Sequence, residues 1–130
     1  MKLLKFAFFL AVALTLSACG DDDSSSPSCT QDDWVGTYTG TVDCDGVTED
    51  VTVNITASGD NAVLVMYETA TFTVEFEAIT PDGCEIDQSQ SAVGLSLTVE
   101  ATLNGDDLSF KDVITYGGTT ATCTIDATRQ

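Results

Sequence analysis

The chain has 130 residues, no histidine, five cysteines and 21 acidic residues against four basic ones, for a formal charge of −17. The missing histidine excludes Ser-His-Asp and Cys-His nucleophile systems, histidine general bases and histidine metal ligands. The acidity repels nucleic acid, and it admits cationic proteins, polyamines or divalent cations as partners.

Lys2 and Lys5 precede an apolar run from Phe6 to Leu16. As a helix that run would span roughly 16 Å, well short of a hydrocarbon core of about 30 Å. A charged start, a short apolar stretch and a small-residue exit describe a secretory signal peptide rather than a retained membrane helix. The exit reads Leu16-Ser17-Ala18-Cys19 and resembles the lipobox of bacterial lipoproteins. That resemblance implies cleavage before Cys19 and a thioether-linked diacylglycerol on its sulfur. Two or more acyl chains hold a protein durably at a membrane where one does so only marginally. Gly20, not Asp, follows the cysteine, which by the same resemblance favours the outer membrane. Asp21, Asp22 and Asp23 resemble the export signals of surface lipoproteins and read equally as a solvated linker, so periplasmic face and cell surface both stay open. Removing residues 1–18 takes away Lys2 and Lys5 but no acid, leaving 21 acids against Lys111 and Arg129 and a charge of −19.

Residues 19–32 form the lipidated cysteine and a Ser- and Asp-rich flexible leash, and the folded domain is expected over 33–130. From there period-two alternation dominates, the mark of half-buried strands. Strands are expected over 34–44, 47–57, 62–67, 71–79, 84–91, 95–103, 108–116 and 119–128. The first turns at Asp45-Gly46, a two-residue hairpin signal. Inward positions are expected at Trp34, Gly36, Tyr38, Gly40, Val42 and Cys44 on the first strand, and at Val51, Val53, Ile55 and Ala57 on the second. Further along they fall at Phe72, Val74, Phe76 and Ala78, then at Leu95, Leu97, Val99, Ala101 and Leu103, then at Leu108 and Phe110. The last strand supplies Ala121, Cys123, Ile125 and Ala127. No segment after the signal peptide shows a helical period.

These features predict an all-β fold: an antiparallel up-and-down β-barrel of about seven or eight strands, which covers its apolar face by closing on itself. A two-sheet sandwich is the competing arrangement. Cys29, Cys44, Cys84 and Cys123 are disulfide candidates in an oxidising compartment, and their spacing does not match a zinc site. Three connectivities are open; the expectation is Cys44 with Cys84 and Cys29 with Cys123.

The stretch Trp34-Val35-Gly36-Thr37-Tyr38-Thr39-Gly40-Thr41 resembles the opening strand of small lipocalin-like lipoprotein domains, although lipocalins usually place Gly before Trp. The resemblance implies a barrel plugged by Trp34, with Gly36 and Gly40 leaving room for rings, and a small apolar ligand as a candidate partner. Trp34, Tyr38, Phe72, Phe76 and Phe110 are the expected barrel interior, and they could also fill it. Residues 44–53, Cys-Asp-Gly followed by Val51 and Val53, resemble the start of periplasmic lysozyme-inhibitor lipoproteins, implying a cationic enzyme as a second candidate partner; Ser58-Gly59 lies in a hairpin turn rather than in that family's inhibitory loop. The acidic loops around Asp43, Asp45, Glu49 and Asp50, and around Asp82, Glu85 and Asp87, do not match calcium-loop spacing. No metal, no cofactor and no catalytic residue is expected. The chain reads as a non-enzymatic, lipid-anchored outer-membrane protein with a binding or surface-structural role.

Overall fold

The computed structural model describes residues 28–130; the expected signal peptide, Cys19 and the expected leash up to residue 27 lie outside the described residues. One helical turn, α1 (Gln31–Trp34), precedes eight strands: β1 (Gly36–Cys44), β2 (Val47–Ser58), β3 (Ala62–Glu68), β4 (Thr73–Ile79), β5 (Glu85–Ala92), β6 (Leu95–Asn104), β7 (Asp107–Tyr116) and β8 (Thr119–Arg129). All neighbours are antiparallel, and the strands lie in the order β4-β3-β2-β1-β8-β7-β6-β5. The first and last strands therefore pair, and the sheet curls into a barrel that is open only between β4 and β5.

The alternation in sequence becomes an inside and an outside because successive side chains on a strand point to opposite faces. Val51, Val53 and Ile55 of β2 are buried, as are Val63, Val65 and Tyr67 of β3, Val99, Ala101 and Leu103 of β6, and Ile125 and Ala127 of β8. The hairpin between β1 and β2 turns on Asp45 and Gly46, both at positive φ (52° and 89°), which Gly adopts freely and Asp tolerates.

Several expectations need correction. Trp34 and Val35 do not belong to β1: the backbone N–H and hydroxyl of Thr30 both donate to the Asp33 carboxylate, and this local closure sets the α1 turn that swings Trp34 into the base. Phe72 lies in the β3–β4 turn rather than on β4, where the Thr69 N–H donates to the Phe72 carbonyl at 2.9 Å. In β4, Val63 pairs with Ile79 while Val65 pairs with Phe76. This bulge inserts an extra residue, so Ala78 is exposed and Ile79 takes its inward place. Ala57, Leu95 and Ala121, near strand ends where the wall no longer covers them, are exposed as well.

The disulfides are Cys29–Cys84 and Cys44–Cys123, not the expected Cys44–Cys84 and Cys29–Cys123. The register decides this. Pairing of β1 with β8 sets Cys44 directly opposite Cys123, with Cα atoms 4.1 Å apart, well short of the roughly 7 Å beyond which two cysteines cannot be bridged. Cys29, just before α1, meets Cys84, immediately ahead of β5, with Cα atoms 4.8 Å apart.

Gly40 has a different role from the one expected of it. A Cβ there would meet no ring; it would lie 2.6 Å from the Ala127 Cα and against the Asp126 carbonyl of β8. Its bareness lets the last strand lie close against the first and so closes the barrel. A Cβ at Gly36 would stand 3.4 Å from the Arg129 guanidinium and 3.7 Å from the Tyr38 ring.

Candidate functional site

The barrel has a base, where the chain enters through Cys29 and α1, and a rim at the opposite end. The base is sealed. Trp34 is fully buried, and its indole N–H donates to the Gly83 carbonyl at 2.8 Å. The Tyr38 hydroxyl donates to the Trp34 carbonyl at 2.9 Å. Arg129, near the end of β8, donates to the Val35 carbonyl at 3.0 Å, to the Tyr38 oxygen at 2.9 Å and to the Asp33 carbonyl. Its guanidinium carbon stands 5.2 Å from the Tyr38 ring centre, a cation–π geometry. The Gln31 amide donates to the carbonyls of Gly59 and Ala62, latching α1 to the β2–β3 hairpin. Burial raises the Tyr38 pKa against the opposing pull of Arg129. The Thr30 hydrogen bonds hold that of Asp33 below the usual carboxylate range.

Above the base, the interior is filled. Tyr67, Phe76 and Phe110 pack ring against ring, with centroids 6.0 Å apart for Tyr67–Phe76, 6.3 Å for Tyr67–Phe110 and 5.4 Å for Phe76–Phe110. Phe72, half-buried, sets its edge on Tyr67 at 6.1 Å. Each such pair contributes roughly 0.5–1.5 kcal/mol beyond its area burial. Of the expected interior set, Trp34, Tyr38, Phe76 and Phe110 are buried and Phe72 borders the cluster.

Among the described residues, the single buried charged side chain is Asp112 of β7, 1% exposed. The Tyr67 hydroxyl donates to its Oδ1 at 3.1 Å. Burial lifts the Asp112 carboxyl to about 6, with the Tyr67 hydrogen bond opposing. Burial, joined by the Asp112 charge, also raises the Tyr67 pKa. Sequence reasoning missed Tyr67, Asp112 and Arg129 as key residues. Period two carried on from Val63 and Val65 reaches Tyr67, from Leu108 and Phe110 it reaches Asp112, and from Ile125 and Ala127 it reaches Arg129.

What remains for recognition is the outside, and three features stand out there. Most of the acidic side chains point outward, among rows of threonine. At the rim, Val47, Val93, Leu95 and Tyr116 are exposed apolar side chains, with Leu95 directly opposite Tyr116. Between β4 and β5 the wall has a seam: β4 pairs with β3 and β5 with β6, and neither pairs across the gap. A pocket of about 20 Å³ lies there among Phe76, Ile79, Gln88, Gln90, Leu97 and Val99, room for about one water.

Three carboxylates of the first acidic loop are held by their own neighbours. Asp43 accepts from the Gly46 N–H and the Thr48 hydroxyl, Asp45 from the Thr122 N–H and Glu49 from the Thr71 hydroxyl. Among the described residues, no three His, Cys, Asp or Glu side chains converge on a position that would hold a metal ion.

No family model matches the chain, and no curated protein or solved structure matches it.

Proposed function

We propose that the mature chain is a non-enzymatic binding domain of the bacterial outer membrane, tethered by lipid at Cys19, whose acidic exterior engages a cationic protein. The observation that carries this reading is the packed interior. Trp34, Tyr38, Tyr67, Phe76 and Phe110 occupy the space a small apolar ligand would need, so recognition falls to the outer surface. A charge of −19 on the mature chain draws basic partners and speeds their encounter. A cationic enzyme such as lysozyme is the kind of partner this field suits.

The chain enters at the base, so a leash over residues 20–27, which reaches roughly 28 Å when fully extended, would tether the domain by that end.

Native mass spectrometry and salt-dependent binding test the reading together. The protein should show its covalent mass less the hydrogens of two disulfides, and should bind lysozyme at 20 mM salt with an affinity that falls steeply by 150 mM. Extra mass that disappears on denaturation, with no affinity for a basic protein at either salt, would overturn it in favour of a ligand-filled barrel.

A further inference from the structure

We propose that the seam-facing edge of β5 is a docking site for an extended basic segment of another protein, which adds to the sheet as a ninth strand. The proposal rests on the cationic-partner reading above and assigns that partner a place and a conformation.

Topology supplies the first argument. Every strand except β4 and β5 is paired on both sides. An unpaired strand edge is a row of backbone donors and acceptors ready to accept another strand, and proteins usually blunt such edges. The two edges here are blunted differently. β4 is seven residues long and carries the bulge opposite Val63–Val65, which twists an edge away from pairing. β5 is in unbroken register with β6 over eight residue pairs, from Glu85–Thr102 to Ala92–Leu95, and has neither bulge nor proline. Glu85 already exchanges backbone hydrogen bonds with Asp82, so the backbone from Ile86 onward is the part that can extend the sheet.

Chemistry selects the occupant. Glu75 and Glu77 of β4 and Glu85 and Asp87 of β5 are exposed beside the seam. Lys111, the nearest cation on the wall, is two strands away from β5 and faces Glu100 at 3.9 Å. A second copy would bring another −19 to this acidic border, and residues 20–27, with three aspartates and no base, would be repelled by it too. A strand with Lys or Arg on alternate positions is attracted. Its intervening side chains would point inward, over Gln88, Gln90 and Leu97, and cover the slot that reaches Phe76 and Val99. In strand addition the main-chain hydrogen bonds supply affinity and the alternate side chains supply selectivity.

The test uses the full lipidated protein in dodecyl maltoside and two acetylated octapeptides of equal charge, one alternating Lys and Val, the other alternating Lys and Pro, which cannot form a strand. Hydrogen exchange is followed by mass spectrometry. The Lys-Val peptide should slow exchange in residues 85–92 by about tenfold or more while leaving the β1–β2 hairpin unchanged, and the Lys-Pro peptide should not; the double variant Glu77→Gln, Asp87→Asn should weaken Lys-Val binding about fivefold at low salt, in keeping with two exposed charges. If both peptides bind alike with no protection of 85–92, the strand site is overturned and the acidic-surface reading stands. If neither binds, both readings fall. Protection of 85–92 that grows with protein concentration alone would make a second copy the occupant and overturn the proposal.

Discussion

Tyr67 and Asp112 meet across the barrel from opposite walls: the phenol of β3 donates to the carboxylate of β7 at 3.1 Å, and both side chains are buried. Burial raises the Asp112 pKa to about 6, above the value near 3.9 of a free aspartate. The folded state therefore binds the Asp112 proton more tightly than the unfolded state does. This group's contribution is most favourable below about pH 4 and is lost as pH rises through about 6, a swing on the order of 2–3 kcal/mol. The large net negative charge of the chain repels itself and pushes stability in the same direction, so wild type alone does not isolate the effect. Asp112→Asn does, because an amide can still accept from Tyr67 and has no charge to bury. Thermal melts at pH 5 and pH 7.5 should show a smaller loss between the two for the variant, with the variant the more stable at pH 7.5. Equal losses in both proteins would remove Asp112 as the source.

Gly40 carries the closure of the barrel. A Cβ there would stand 2.6 Å from the Ala127 Cα and against the Asp126 carbonyl, and backbone on the paired strand has no rotamer by which to yield. Gly40→Ala should cost about 3 kcal/mol or more, a drop in melting temperature above about 12 °C for a domain of this size. Gly36→Ala is the control. There the nearest atom is the far end of Arg129 at 3.4 Å, so the change should stay within about 1 kcal/mol. Melting of the two variants within a few degrees of each other would show that β8 can move off β1 cheaply.

The barrel and most of its strands were legible because alternation is a strong signal when one face is buried. Val51, Val53 and Ile55, or Val99, Ala101 and Leu103, can point inward only in one register. What alternation could not supply was any event that breaks it. The β4 bulge exchanges Ala78 for Ile79 on the inside, and nothing in Phe-Glu-Ala-Ile marks where an extra residue enters. The same holds for Trp34, whose placement depends on a helical turn of four residues, too short to show a period. The gap between β4 and β5 was invisible for a related reason: local pattern specifies which face a residue takes, not which strands meet.

The disulfide pairing follows from which strands are neighbours. First and last strands of an up-and-down barrel are neighbours, and Cys44 and Cys123 lie on their inward faces; the register then sets one opposite the other. Peptide mapping without reduction should recover Cys29 linked to Cys84 and Cys44 linked to Cys123. Replacing Cys44 and Cys123 together by serine should lower stability by about 2–5 kcal/mol, with exchange rising first in β1 and β8 near the rim. Replacing Cys29 and Cys84 should instead loosen α1 and the start of β5 while β1–β8 protection persists. Recovery of a Cys29–Cys123 peptide from native protein would contradict the β1–β8 register itself.

Lys111 and Arg129, the two cations among the described residues, should behave oppositely on removal. Lys111 faces Glu100 at 3.9 Å with both side chains about half exposed, and surface pairs of this kind are worth little. Lys111→Met should shift stability by less than about 0.5 kcal/mol. Arg129 ties Asp33, Val35 and Tyr38 to the end of β8 while lying over an aromatic face. A planar fork makes those contacts together, and an ammonium on a flexible stem does not. Arg129→Lys, which keeps the charge, should therefore cost about 2 kcal/mol, and the fluorescence of Trp34, the sole tryptophan, should shift to the red as the base admits water. Thermal melts read the first effect and emission spectra the second. An Arg129→Lys protein that melts with wild type and keeps its blue emission would mean that Trp34 and its Gly83 hydrogen bond seal the base unaided.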